Sequence, residues 1–471
     1  MYPREGRVFV NPPKPPTPSL TPTERRAAAG LASIYGLRML GLFLILPVFS
    51  LYADDLAGAT PLLVGLAIGA YGLTQAALQI PAGMLSDRIG RKPVIYSGLG
   101  IFVVGSVIAA LATDIQVVIL GRVIQGAGAV SAAVTALTAD LTRYSVRTRA
   151  MAGIGASIGL AFGLALVLGP AVARVWGLSG VFWLTAGLAL CGILILWLVV
   201  PTPERETIHR DAEPVADQLA GVLRDGQLLR LDLGILSLHV IMTGVFLVMP
   251  PALVRAGVVA DDHWTVYLPV LLASLALMVP FVIQAEARDR LKPVFLGAIA
   301  TLGLAAAGLA FMDGQLVPMI ALLVLFFAAV NLLEALLPSM VSKIARAGAK
   351  GTAMGVYSTS QFFGAFMGGA LGGAVHQAFG AQAVFLLAGA FALLWLIVAG
   401  FMAPPDPVSS QVIRLGAGLA ATGSPDLSGL RRRLLAVPGV RDAVVVPEEG
   451  VAYLKVDRRE LDAAALAALS G

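Results

Sequence analysis

Twelve stretches of about 20 apolar residues, each parted from the next by polar residues, constrain this chain more than anything else in it. They run approximately over residues 30–52, 62–85, 93–113, 116–138, 150–173, 181–200, 231–254, 264–284, 293–312, 316–338, 353–376 and 381–402. A helix needs about 20 residues to cross a hydrocarbon core of about 30 Å, so each stretch reads as one span. Residues 30–403 allow about 31 residues for each of twelve spans with its loop, whereas eight spans would leave chain unused. Composition agrees, with 58% of residues hydrophobic and 13% charged, against about 25% charged in an average soluble protein. A water-soluble enzyme is thereby excluded as the bulk of the molecule, because lipid accepts apolar surface where water demands charge.

Basic residues orient the spans. One set of alternate loops holds Arg88, Arg91, Lys92, Arg143, Arg147, Arg149, Arg288, Arg290, Lys292, Lys343, Arg346 and Lys350, and the opposite set only Arg174 and Arg255 beside Asp54, Asp55, Asp114, Asp261, Asp262 and Asp313. The positive-inside rule then places both termini in the cytoplasm. The net charge of +5 reflects this loop pattern and a basic tail, so nucleic acid is not an expected partner. A single cysteine, Cys191, excludes a disulfide framework and a Cys-based zinc site; no metal or other cofactor is expected.

The expected organisation is a proline-rich disordered tail (1–28), a six-helix half (29–200), a polar linker (201–230), a second six-helix half (231–403), a short linker (404–410) and a soluble module (411–471). A shift of 200 residues superposes the loop Asp87-Arg88-Ile89-Gly90-Arg91-Lys92-Pro93 on Ala287-Arg288-Asp289-Arg290-Leu291-Lys292-Pro293, keeping Arg, Lys and Pro in register. Two unrelated basic loops would look similar, but both join the second and third spans of their half, as duplicated transporter halves do. The module reads β-α-β-β-α, the order of a ferredoxin-like domain.

The segment Gly83-Met84-Leu85-Ser86-Asp87-Arg88-Ile89-Gly90-Arg91-Lys92-Pro93 carries the most specific signal. Its glycines permit a tight turn and close backbone approach, its basic residues hold the loop inside, and Asp87 can accept from an arginine or a facing helix N-terminus. This segment resembles motif A of the major facilitator superfamily. Leu40-Gly41 with Pro47-Val48 resembles motif D, Arg122 with Gln125-Gly126-Ala127-Gly128 resembles motif B, and Gly155, Gly159, Gly163, Gly169 and Pro170 resemble motif C of the drug:proton antiporter branch. The resemblance implies the superfamily's fold of two pseudo-symmetric six-helix halves in a bacterial inner membrane. It also implies alternating access around a central cavity and a role for Arg122 in proton coupling.

Other candidates rest on placement. Arg122 and Arg38 lie about 9 and 12 Å into their spans, where a bare charge costs several kcal/mol unless paired or wet. A structural pair or snorkelling to an interface is the alternative to a coupling role. Asp140 closes the fourth span and is expected to join Asp87, Arg88 and Arg91 in a cytoplasmic latch, solvated loop charge being the alternative. Glu334, read as the one acidic residue well inside the second half, His239 and Asp54 are further proton-coupling candidates, with packing or wet surface as their bland readings. Tyr71, Gln75 and Gln79 share a face of the second span, and Tyr357 and Gln361 a face of the eleventh; with Asn331 they are cavity-lining candidates, unless they serve helix contacts alone. The ladders Gly155/Gly159/Gly163 and Gly364/Gly368/Gly372 read as packing stripes.

The first span lacks the mid-span acid that many drug:proton antiporters carry. The module resembles heavy-metal-associated domains in element order, but its 416–423 stretch holds no Cys-x-x-Cys, so it is expected to regulate, to self-associate or simply to add solubility. The expected function is proton-coupled export of a small molecule or drug by a protein that is not an enzyme; no phosphate-binding Gly-rich loop with Lys-Ser/Thr points to ATP hydrolysis. An uncoupled facilitator or importer of a metabolite, and a membrane sensor signalling through the module, are the alternatives.

Overall fold

The computed structural model describes residues 19–203, 216–287, 290–404, 408–414, 427–446, 451–457 and 460–467. The start of the proline-rich tail, the middle of the linker, the loop residues Arg288 and Asp289 and the 416–423 stretch lie outside the described residues. Fourteen helices, α1 (Pro22–Phe43), α2 (Phe49–Tyr52), α3 (Pro61–Ile89), α4 (Arg91–Ala110), α5 (Ile115–Ala127), α6 (Ser131–Asp140), α7 (Tyr144–Leu198), α8 (Ala216–Val222), α9 (Gly226–Arg255), α10 (His263–Ala287), α11 (Leu291–Leu309), α12 (Leu316–Ile344), α13 (Lys350–Phe379) and α14 (Ala381–Gly400), make up the membrane body.

Among the described residues nine helices are long and apolar enough to cross a membrane. One of them, α7, holds the fifth and sixth spans, parted at Gly177 by a φ of 63° and ψ of −166°. Adding α1, which carries Arg38, and the glycine-rich α13 completes twelve. Exposed Trp176, Trp197, Phe379 and Phe401 at span ends fit the aromatic belts of a membrane protein. The side with the basic loops and both terminal segments is called the basic face below, and its opposite the acidic face.

Two spans differ from the sequence reading. The first begins at Pro22, inside the expected tail, because Thr21 and Glu24 form a capping box and proline is well placed in a first helical turn. It is also not continuous: α1 ends at Phe43 and helix resumes only at Phe49, past Pro47. The fourth span breaks between α5 and α6, where Gly128 leaves helical geometry at ψ 48°. Between α3 and α4, Gly90 sits at a φ of 98°, a conformation that explains the glycine of the loop motif.

The halves meet toward the acidic face. Glycines bring α3 and α13 into backbone contact: a Cβ on Gly65 would lie 2.1 Å from the Gly369 carbonyl oxygen, and one on Gly72 2.4 Å from that of Phe362. Nearby, Leu62 N–H donates to Gln377 Oε1 (3.2 Å), Arg174 pairs with Asp261 (3.4 Å), and Phe43, Phe162, Phe246 and Phe327 form a chain of ring contacts across the halves. Toward the basic face the halves separate. Gly163 still approaches Leu271 of α10 (3.1 Å from an added Cβ), but Gly155 and Gly159 have nothing within 4 Å. That ladder is therefore no packed stripe here, whereas Gly364 and Gly368 press on the backbone of α9 at Leu236 and Val240. Gly169, beside Pro170, packs on the Leu44 carbonyl and Pro47 at the break in the first span.

The terminal module has strands β1 (Val408–Arg414), β2 (Val440–Val446) and β3 (Val451–Asp457) in an antiparallel sheet of order β1-β3-β2, with α15 (Leu427–Leu435) and α16 (Ala463–Ala467). One sheet face buries Ala443, Leu454 and Val456 with Leu430 and Leu434. The other, bearing Val446 and Tyr453, covers Ala347 in the loop between α12 and α13. Lys455 Nζ donates to the Ser342 carbonyl and to that of Lys343 (3.2 Å), and Ala347 N–H donates to Asp442 Oδ2 (3.1 Å). Burial lowers the Lys455 ammonium to about 8.

Substituting Gly65 by Val should force α3 from α13, since backbone cannot yield as a flexible side chain can. The expected outcome is a loss of about 3 kcal/mol in stability or opening of the acidic face. Thiol labelling of a cysteine introduced at Gln377 checks which.

Candidate functional site

The first half is built around two buried arginines. Arg38 and Arg122 are each 2% exposed. Arg38 donates to Tyr71 Oη (2.6 Å), Gln75 Oε1 (2.7 Å), Ser131 Oγ (3.2 Å) and the Gly128 carbonyl (3.2 Å), which the break between α5 and α6 leaves free. Arg122 donates to Gln125 Oε1 (2.8 Å) and to the Ala67 and Ile68 carbonyls of α3 (3.2 and 3.3 Å). Tyr71 lies between them, its ring centre 5.8 Å from the Arg38 guanidinium and 5.2 Å from that of Arg122. Gln75 Nε2 passes the chain on to Gln79 (2.5 Å), and Gln125 Nε2 to Ser106 (2.7 Å). No carboxylate hydrogen-bonds either arginine among the described residues; their charge is held by neutral dipoles and ring faces. Tyr71, Gln75 and Gln79, expected on a cavity wall, are instead buried partners of this cluster.

The second half holds a different set. His239 on α9, Glu334 on α12 and Gln361 on α13 converge: His239 Nε2 lies 3.5 Å from Glu334 Oε1 and 3.0 Å from Gln361 Nε2, while Nδ1 faces the Ile235 carbonyl at 3.2 Å. A neutral imidazole that donates from Nδ1 and accepts at Nε2 satisfies both its helix and Gln361. Glu334 keeps 36% of its side chain exposed. Asn331, one turn before Glu334, donates to Ser274 on α10 (3.1 Å). Asp232 on α9 is a buried acid that was overlooked, so Glu334 is not alone; its place seven residues before His239, on the same helix face, was the available signal. A cleft of about 610 Å³ on the acidic face, lined by Arg255, Asp313 and His376, stands apart from both clusters.

At the basic face Arg91 binds Asp87, lies 3.4 Å from Asp140 and donates to Ser86 Oγ (2.8 Å). Gly83 accepts from Ser86 Oγ through its carbonyl (2.7 Å). Arg88 is exposed and outside this cluster, and Lys92 instead donates to the Val200 carbonyl (2.6 Å). Asp54 sits in an exposed 3-10 turn on the acidic face, away from both polar clusters. A second lock was not anticipated: Glu24 accepts from Arg143 Nε (2.8 Å), Nη2 (2.9 Å) and backbone N–H (3.0 Å), tying the start of the first span to the loop after the fourth. Hydrogen bonding from Arg143 holds the Glu24 carboxyl well below the usual carboxylate range, against the opposing effect of burial.

These features define a polytopic carrier of the two-half type. The Major Facilitator Superfamily model matches residues 31–368 and, in a second match, 263–440, and the YajR YAM domain model matches residues 423–465. The inner membrane transport protein YajR of Escherichia coli (strain K12) is 46% identical over 93% of this chain and 96% of its own. The multidrug resistance protein MdtH of Aeromonas hydrophila is 28% identical over 72% of this chain and 85% of its own. A bacterial homologue of the human lysosomal transporter Spinster, solved inward-facing and occupied, has the same fold, with a TM-score of 0.67 and 16% identity, covering 81% of this chain and 97% of that one. The chain belongs to the major facilitator superfamily.

A depressed carboxyl contributes stability above its ordinary value, near 4.3 for Glu, and loses that contribution as pH falls toward its folded value. Wild type should therefore melt above Glu24→Gln by a constant margin at neutral pH, and the two curves should converge below about pH 4. Arg38→Lys should lower the melting temperature by about 5 °C or more, because one ammonium cannot serve four divergent acceptors.

Proposed function

We propose that this transporter exports a small molecule against inward proton movement. The reading is carried by the meeting of His239, Glu334 and Gln361 from three spans of one half. Acid and imidazole side chains are the groups that can take and release a proton in a span, and Glu334 retains access from the open side. With the positive-inside rule the basic face is cytoplasmic, so the conformation described is inward-facing, and both termini are cytoplasmic. In the alternating cycle the Arg91–Asp87–Asp140 cluster and the Glu24–Arg143 lock hold cytoplasmic loops of the first half as one rigid body. Closing this face would bring the Gly155/Gly159 stripe onto α10. Arg38, Arg122 and Tyr71 then act as the fixed positive centre of the first half, and the half-buried Asn331 and Gln361 contribute to the binding cavity, whereas Tyr357, expected there, is buried. The relative named for multidrug resistance supports export, and the one from the inner membrane supports location there.

An uncoupled facilitator is the competing reading, favoured by the two first-half arginines whose partners are all neutral. Everted vesicles screened with drugs and metabolites separate the two. Under export, an active compound should drive proton movement that Glu334→Gln reduces by about tenfold, or ~1.4 kcal/mol in the barrier. Flux that is equal with and without a pH gradient, and unchanged in Glu334→Gln, would leave facilitation.

A further inference from the structure

Two buried polar atoms of the second half have no use in the reading above. Among the described residues, Asp232, 6% exposed on α9, has an Oδ2 with no hydrogen-bond partner, and the hydroxyl of Tyr357 on α13 has none either. The helices run side by side in one direction, with Leu236 against Gly364 and Val240 against Gly368. One turn toward the basic face, this register sets Asp232 opposite Ser360, beside Tyr357. Tyr357 lies one turn before Gln361, whose amide meets His239, the neighbour of Glu334. The titratable groups facing this place are thus Asp232 and His239 from α9, Glu334 from α12 and Tyr357 from α13. The neighbour from α14 is the uncharged Trp395, packed on Gly234. The two atoms are not hydrogen-bonded to each other in this conformation; a side-chain rotation that closed the gap would give the hydroxyl an acceptor and the carboxylate a donor, and buried polar atoms are seldom left without either.

We propose that Asp232 is a second proton-carrying group of this half and exchanges its proton with Glu334 through the Tyr357 hydroxyl. In the step, side-chain rotation first brings the Tyr357 hydroxyl between the two carboxyls; protonated Glu334 then passes its proton to the Tyr357 oxygen as Tyr357 passes its own hydroxyl proton to Asp232 Oδ2. Glu334 becomes a carboxylate, Asp232 a neutral acid, and Tyr357 is regenerated. Asp232 stands two helical turns nearer the basic face than His239, the partner of Glu334, so the exchange moves a proton toward the basic face.

This inference rests on the proposed role of Glu334, and infrared difference spectroscopy separates the two. The full chain in proteoliposomes is stepped in pH with no substrate present, and the carboxylic-acid C=O bands are followed in time. Two titrating bands are expected, one removed by Asp232→Asn and the other by Glu334→Gln, with Asp232→Glu retaining a shifted band as the control for folding. Tyr357→Phe should keep both bands and slow the transfer between them about a hundredfold. A spectrum of Asp232→Asn that matches wild type, or an unchanged rate in Tyr357→Phe, overturns the inference and leaves the role of Glu334 standing if its own band is lost. An unchanged spectrum in Glu334→Gln overturns both.

Discussion

Backbone contact between α3 and α13 is the constraint from which the rest of the arrangement follows. With no side chain at Gly65, Gly69, Gly369 and Gly373, two helices from different halves approach until carbonyl oxygens face Cα atoms. Lipid tails exert no hydrophobic drive between helices, so such close packing is what holds the halves together. Because these glycines occupy the acidic-face part of both helices, closure there leaves the other ends of the fifth and eighth spans apart. The aromatic contacts of Phe43, Phe162, Phe246 and Phe327 continue the same seal.

The two halves treat charge differently. In the first, arginines that cannot give up their protons are surrounded by neutral dipoles, and the helix break at Gly128 frees a carbonyl for that purpose. Such a cluster is static, and its partners are all buried. In the second, the charged side chains are groups able to exchange protons, and one of them reaches open space. On the proposed export reading, the first cluster is the fixed electrostatic part and the second the part through which a proton would alter which packing is preferred. The terminal module grips the second half at the loop joining the helices that carry Glu334 and Tyr357.

Motif-bearing residues were partly legible because local chemistry decided them. Gly90 needs a positive φ, Asp87 and Arg91 are four residues apart across the turn it makes, and Tyr71, Gln75 and Gln79 do share one face. What escaped depended on contacts distant in sequence. Glu24 gains its meaning from Arg143, 119 residues away. Arg88 and Arg91 look equivalent in sequence, yet the turn at Gly90 leaves one exposed at the end of α3 and buries the other at the start of α4. Asp232 gives no local signal beyond its helix face, because what buries it comes from other spans.

The amino-acid sequence by itself determined the number of spans, their division into halves, the charge asymmetry between faces and the order of elements in the terminal module. Each of these follows from hydrophobic length, periodicity or local turn chemistry, which act within a few residues. Tertiary structure decided which glycines touch, which face is closed, where two spans break and which titratable groups meet. Those outcomes depend on helix rotation and register against partners far away in the chain, and hydrophobic pattern is nearly blind to rotation in helices that are apolar all round.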